Sequence, residues 1–229
     1  MKRLINTLLT IFLVLPSTIN FVSAHDYTRE KAELFNFFIS NGVIEEVADS
    51  LVEKYFNGEI LDSMNEEMYE YGIVEVIDSL DLSVRKVTYP DGSISISIVE
   101  QPHSNNSTIN AFSVSGGSYS SGSNWWSYTK ARVHESNGVV TATFYIDYSG
   151  NSYEQSKITR IYTGAADWKI VVIGGSFSNP VFVMIRSQAT STHSAQATMT
   201  FNVTLIGMIS TNYKVSAHVQ GVRAFSSTT

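Results

Sequence analysis

Residues 197–205 run Ala197-Thr198-Met199-Thr200-Phe201-Asn202-Val203-Thr204-Leu205. Every odd position is apolar and every even one is a small polar residue. A strand sends successive side chains to opposite faces, so this spacing predicts a β-strand. Ala197, Met199, Phe201, Val203 and Leu205 are expected on a core, and Thr198, Thr200, Asn202 and Thr204 in water.

Working outward, the region from about Asn110 onward is rich in Ser, Thr, Val, Ile and Tyr. Turn pairs punctuate it at Gly116-Gly117, Asn137-Gly138, Gly150-Asn151, Gly174-Gly175 and Asn179-Pro180. Eight strands are expected, near 111–118, 125–136, 139–148, 153–163, 167–174, 180–188, 194–206 and 210–222. Short, regularly spaced strands with little helix signal predict an all-β antiparallel sandwich over 110–229.

Upstream the period changes. Leu34, Phe35, Phe38 and Ile39 fall at helical spacing behind Thr28, a candidate cap, and Asn41-Gly42 ends the run. A second run places Ile44, Val47, Ala48, Leu51, Val52 and Tyr55 on one face and stops at Asn57-Gly58. This αα-hairpin needs another layer, which Leu82–Thr88 and Ile94–Val99 supply as a β-hairpin around Tyr89-Pro90-Asp91-Gly92-Ser93. In that hairpin Ile94, Ile96 and Ile98 alternate with Ser93, Ser95 and Ser97, which predicts one buried face and one wet face. The expectation is α+β overall: a helical and hairpin unit over 25–100, a linker over 101–109, then the sandwich.

The first 24 residues read as a cleavable signal peptide. Lys2 and Arg3 precede an apolar run from Leu4 to Leu15, and Val22-Ser23-Ala24 offers the small residues a signal peptidase needs. The run is shorter than the roughly 20 residues of a permanent span, so a secreted, extracellular chain without a membrane anchor is expected. With no cysteine there is no disulfide, and stability must come from packing.

Gly58-Glu59-Ile60-Leu61-Asp62-Ser63-Met64 followed by Tyr89-Pro90-Asp91-Gly92-Ser93 resembles the N-terminal module of many small secreted Gram-positive proteins. Gly116-Gly117-Ser118-Tyr119, Glu135-Ser136-Asn137-Gly138 and Asp167-Trp168 through Ile173-Gly174-Gly175 resemble a secreted domain of Firmicutes. The resemblance implies secretion and a β-rich C-terminal domain, and it brings no catalytic residues.

The formal net charge is −6, unevenly placed: residues 25–100 hold 17 acids and five bases, and residues from 101 onward four acids and eight bases. The acidic half would repel phosphates, so nucleic acid is not expected as a partner. His25, His103, His134, His193 and His218 form no HExxH or other close ligand pair, and no metal or cofactor is expected. GxSxG and phosphate-loop motifs are absent, and Glu45-Glu46 and Glu66-Glu67 diverge on a helix. An enzyme is the minority expectation.

Strand register singles out one surface. A two-residue turn at Asn137-Gly138 would set Glu135 opposite Val140, Val133 opposite Ala142 and Ala131 opposite Phe144. Trp126, Tyr128, Lys130, Arg132 and His134 would then share the other face. Aromatic rings beside cations can stack on sugars and pair with anions. Trp126, Tyr128, Lys130 and Arg132 are therefore the candidate ligand-binding residues, for a cell-envelope glycan or a surface protein. Packing under the N-terminal unit is the competing role for the same four. Trp168, at the head of an apolar strand, is expected in the core. The function expected is a non-enzymatic binding protein. Its alternatives are a bacteriocin-like or membrane-active toxin, for which alternating strands are suited, and a hydrolase with an unrecognised site.

Overall fold

The alternation at 195–204 builds a strand of the kind expected, except that Thr198, expected in water, is buried with its hydroxyl 3.1 Å from that of Ser216. A computed structural model describes residues 27–78, 82–101, 117–151, 153, 155–207, 210–221 and 223–228. The expected signal peptide, His25, His103, residues 102–109 of the expected linker and the first six residues of the expected 111–118 strand lie outside the described residues.

Two helices come first, α1 (Thr28–Ser40) and α2 (Glu45–Phe56), then 3₁₀ turns at Asp62–Met64 and Glu66–Tyr71. α1 buries Leu34 and Phe38, and α2 buries Ala48, Leu51, Val52 and Tyr55, close to the expected faces. Thr28 stands inside the first turn of α1, with Tyr27 at the boundary.

Among the described residues twelve strands follow: β1 (Ile73–Asp78), β2 (Leu82–Thr88), β3 (Ile94–Glu100), β4 (Ser118–Ser121), β5 (Trp125–Ser136), β6 (Val140–Asn151), β7 (Ser156–Tyr162), β8 (Trp168–Val172), β9 (Ser176–Arg186), β10 (Ala195–Thr204), β11 (Thr211–Gln220) and β12 (Arg223–Thr228). They form two antiparallel sheets. One runs β1-β2-β3-β5-β6-β7, with β4 also on β5 and β8 also on β6; the other runs β12-β11-β10-β9. The chain is thus mostly β.

The expected boundary at 101–109 does not fall between sheets. β3 pairs with β5, Ser97 opposite Glu135 and Val99 opposite Val133, so the N-terminal hairpin extends the sheet built after residue 117. Edge strands carry unpaired backbone groups, and this pairing removes an edge from each hairpin.

One core joins helices and both sheets, with Phe144, Met199, Phe201 and Val203 buried in it. Phe144 meets Phe182 of β9 at 6.3 Å between ring centres, and Trp168 packs on Phe177 and Phe182. α1 lies on the turn at Gly138, which has φ +88°; a Cβ there would sit 2.6 Å from the Phe37 ring. The Tyr55 hydroxyl donates to the Ile173 carbonyl at 2.5 Å, and burial pushes its pKa up to about 12.

Four local expectations are corrected. The hairpin after β5 is longer than two residues: Asn137 Oδ1 accepts the N–H groups of Val139 and Val140, and Glu135 faces Ala142, Val133 faces Phe144 and Ala131 faces Ile146. A two-residue slip preserves each residue's face, so the inward set survives. Asn179-Pro180 is a bulge within β9, not a turn: Ser178 and Val181 oppose Asn202 and Thr200, with one extra residue on β9. The strand expected last, near 210–222, is present as β11 but is not the last, because Gly221, at φ +59°, turns it into β12. The serine face of β3 is not wet, since every residue of β3 is buried.

Candidate functional site

β5 is interrupted at Thr129-Lys130, where the pairing with β6 passes from Tyr128–Tyr148 to Ala131–Ile146. Lys130 has φ +59°, and its N–H donates to Asp147 Oδ1 at 2.7 Å. A bulge of this kind re-aims the side chains on one side of it relative to the other. The four candidate residues are consequently divided.

Trp126 and Tyr128 turn inward. Trp126 is 8 % exposed and stands edge-on to Tyr148, and Tyr128 stacks on the same ring at 5.8 Å. Tyr148 is anchored by donating to the Glu100 carbonyl at 2.5 Å. Lys130 reaches Asp167 at 2.9 Å, with its ammonium over the rings of Tyr145 and Tyr162. Arg132 is held at buried Glu100, which accepts its backbone N–H at 2.8 Å and lies 3.7 Å from Nε. The shared face expected from strict alternation therefore does not exist: two members are core and two are committed to carboxylates.

The same hairpin end presents another arrangement, with Trp125 at its centre. Gly122 N–H donates to the Trp125 carbonyl at 2.9 Å and closes the β4–β5 turn. The Trp125 indole lies across Gly122, where a Cβ would approach Nε1 to 2.5 Å, and it remains 52 % exposed. Trp126 occupies the space that a side chain at Gly150 would need; a Cβ there would be 2.3 Å from Cζ2. Only glycine at 150 lets Trp126 fold under the sheet.

Residues directly opposite in antiparallel strands share a face. Trp125 opposes Asn151, and Ser127 opposes Ser149, which in turn opposes Lys157 of β7. These five residues therefore lie on one face, with the serines as a low floor between Trp125 and Lys157. Lys157 also bridges to Gln188, fixed by Ile158 N–H to the Ser187 carbonyl and Ala189 N–H to the Ser156 carbonyl. Asn151 organises the turn into β7: its Oδ1 accepts the N–H groups of Tyr153 and Gln155, and its Nδ2 donates to Gln155 Oε1 at 3.1 Å. The resulting cleft has a volume of about 550 Å³, the scale of a small-molecule site. Two indoles, amides, hydroxyls and one ammonium line it, and no carboxylate appears among its described lining residues. Glu154 lies outside the described residues.

Other clusters offer less chemistry. His218 stacks on Phe225 and places its two ring nitrogens 2.9 Å from Ser194 Oγ and 3.0 Å from Ser227 Oγ. Burial, with Lys214 and Arg186 nearby, lowers its pKa, so the ring is neutral near pH 7. No carboxylate among the hydrogen-bond partners of this histidine orients it as a catalytic base. Among the described residues no three His, Asp or Glu gather to hold a metal ion. A second cavity, about 590 Å³, opens between Met64, Tyr69, Val203, Leu205, Tyr213 and Lys214.

Sequence reasoning reaches Trp126 and passes over Trp125. The available signal is the adjacent pair Trp125-Trp126: alternation requires one indole on each face, and the small residues of Ser121-Gly122-Ser123 leave the outer one uncovered. Compared with protein-family models, curated proteins and solved structures, the chain matches none.

Proposed function

We propose that this protein is an exported, non-enzymatic binding module whose Trp125 cleft takes a sugar of a cell envelope or cell surface. One observation carries the reading: an indole more than half exposed stands on the same sheet face as the hydroxyls of Ser127 and Ser149, which bond no described residue, with the Gln155 and Gln188 amides in the same cleft. Sugar rings offer an apolar C–H face to an aromatic ring and hydroxyls to amides, so this combination suits them. The finer architecture that goes with the proposal is an α+β chain whose two sheets form a sandwich, with the hairpin ends free for recognition. Export rests on the basic start, the apolar run and Val22-Ser23-Ala24; protein recovered from medium with His25 as its first residue is the expected result.

The test is titration of the protein with purified cell walls and soluble oligosaccharides, followed by tryptophan fluorescence. Binding that quenches and shifts the emission, and that Trp125→Ala weakens at least tenfold, supports the reading. Binding unaffected by Trp125→Ala overturns it.

A second reading, a membrane-active protein, draws on β1. Ile73, Val74, Val76 and Ile77 of this edge strand are all exposed. No described helix is long and apolar enough to cross a membrane, which says nothing about strands. Dye release from vesicles at micromolar protein would favour this reading over sugar binding, and Val76→Lys would then abolish it.

A further inference from the structure

Resting on the sugar-binding reading of the Trp125 cleft, we infer that the preferred ligand is an acidic oligosaccharide, with one ring stacked on Trp125 and a carboxylate or phosphate of the adjoining unit held by Lys157.

Charge is the first argument. Lys157 is exposed and no ion pair or side-chain hydrogen bond joins it to a described residue, whereas the nearby cations Lys130 and Arg132 already face Asp167 and Glu100. It is the single charged group among the described residues that line the cleft. An ammonium with no carboxylate beside it among the described residues attracts an anion, and none of those residues competes for that role.

Spacing is the second. Ser127, Ser149 and Lys157 are consecutive partners across β5, β6 and β7. Two inter-strand steps separate Ser127 from Lys157 by about 10 Å. Trp125 lies a further two residues along β5, so the backbone positions that carry the indole and the ammonium stand farther apart than one sugar ring is wide. A ligand of two or more units is therefore the one whose length matches this spacing, with one ring on Trp125 and the charge of the next at Lys157. The serine floor leaves room for the connecting ring, because neither Ser127 nor Ser149 rises far from the sheet.

The amides set orientation. Asn151 spends its oxygen on the Tyr153 and Gln155 N–H groups and one donor on Gln155. Gln155 Nε2 and the Gln188 amide make no hydrogen bond to a described residue, and both residues line the cleft, Gln155 two residues before Lys157 and Gln188 across the bridge beyond it. Gln155 suits the hydroxyls of the bridging unit, and Gln188 those beside the anionic group.

The experiment compares three ligands on the full chain and on Trp125→Ala and Lys157→Gln: a neutral glucose oligosaccharide, a uronic-acid oligosaccharide of equal length, and a phosphate-bearing one. The inference expects the acidic ligands to bind more tightly than the neutral one. Lys157→Gln should weaken the acidic ligands about fivefold to tenfold and leave the neutral one unchanged. Added salt should weaken only the acidic complexes of the unsubstituted chain. Whichever acidic arm responds more strongly to Lys157→Gln identifies carboxylate or phosphate as the source of charge. Equal affinity for all three, or an unchanged Lys157→Gln, overturns the inference while leaving the sugar reading intact if Trp125→Ala still abolishes binding. Loss of the sugar reading would show differently, as binding that survives Trp125→Ala.

Discussion

β3 and β10 carry nearly the same pattern, an apolar residue alternating with Ser or Thr, yet they meet water in different ways. In β10 the alternation sorts most residues: Met199, Phe201 and Val203 are buried, Thr200 and Asn202 are partly open and Thr204 is exposed, with Thr198 the one polar exception, buried against Ser216. In β3 every position is buried, serines included. Alternation assigns side chains to faces; what covers a polar face is decided elsewhere in the chain. Here β12 crosses the serine side of β3. Ser97 Oγ and Ser226 Oγ both donate to Glu135, each at 2.7 Å, so strands far apart in sequence share one buried carboxyl group. Gln101 adds a second clasp on β12, accepting the Ala224 N–H and donating to its carbonyl.

The largest effect expected comes from the side of the comparison that behaves simply. Phe201→Ala in β10 should cost about 4 kcal/mol, the transfer term of a buried aromatic plus the cavity left behind. Thr204→Ala, at an exposed position of the same strand, should stay within about 0.5 kcal/mol. Urea unfolding of both variants checks the pair, and comparable losses would mean that β10 is not half-buried.

That contrast marks how far the sequence can be read. Phe201 belongs on the core because a run of five apolar residues at period two has one reading. The two helices follow from Leu34, Phe38, Leu51 and Tyr55 in the same way. Local pattern does not disclose pairing between β3 and β5, since any apolar edge strand would have served, nor the cover that β12 provides. The expected binding face fails at one residue. Lys130 takes up a positive φ that non-glycine residues seldom adopt, and strict alternation carried past it joins Trp126 to Arg132 on a face the bulge has divided. Trp125 is legible only as the exposed neighbour of a residue the pattern sends to the wrong side.

Glu135→Ala tests the polar side directly. It leaves the hydroxyls of Ser97 and Ser226 without their acceptor in a closed space, and a loss of about 3 kcal/mol is expected. A variant as stable as the parent would mean that water reaches the serine face of β3, and the contrast with β10 would disappear.

The isoleucine side has its own probe in His134, which opposes Ile98 across the β3–β5 pairing. Burial first, and Arg132 second, lower its pKa from 6.5 to about 4. The unfolded chain then binds the proton more readily than the folded one between those values. Stability contributed by the neutral ring is complete above pH 6.5, falls as pH drops toward 4, and changes no further below it. The span amounts to about 3 kcal/mol. Unfolding free energies at pH 7 and pH 4 should converge by that amount in His134→Gln relative to the parent chain; an unaltered pH slope would place His134 in water.

Ser97→Ala gives the smallest and most specific readout. The substitution removes one donor to Glu135 and leaves Ser226 in place, so the acceptor keeps a partner and the expected loss is about 1 kcal/mol. A serine on a wet face would lose nothing measurable. Paired with Glu135→Ala, the double variant should cost less than the two single losses together, because both changes break the same hydrogen bond. Additive losses would separate Ser97 from Glu135 and leave the burial of β3 to packing alone. That outcome would still distinguish it from β10, where only Thr198 is covered, with its hydroxyl on Ser216, and Thr200 and Thr204 reach solvent.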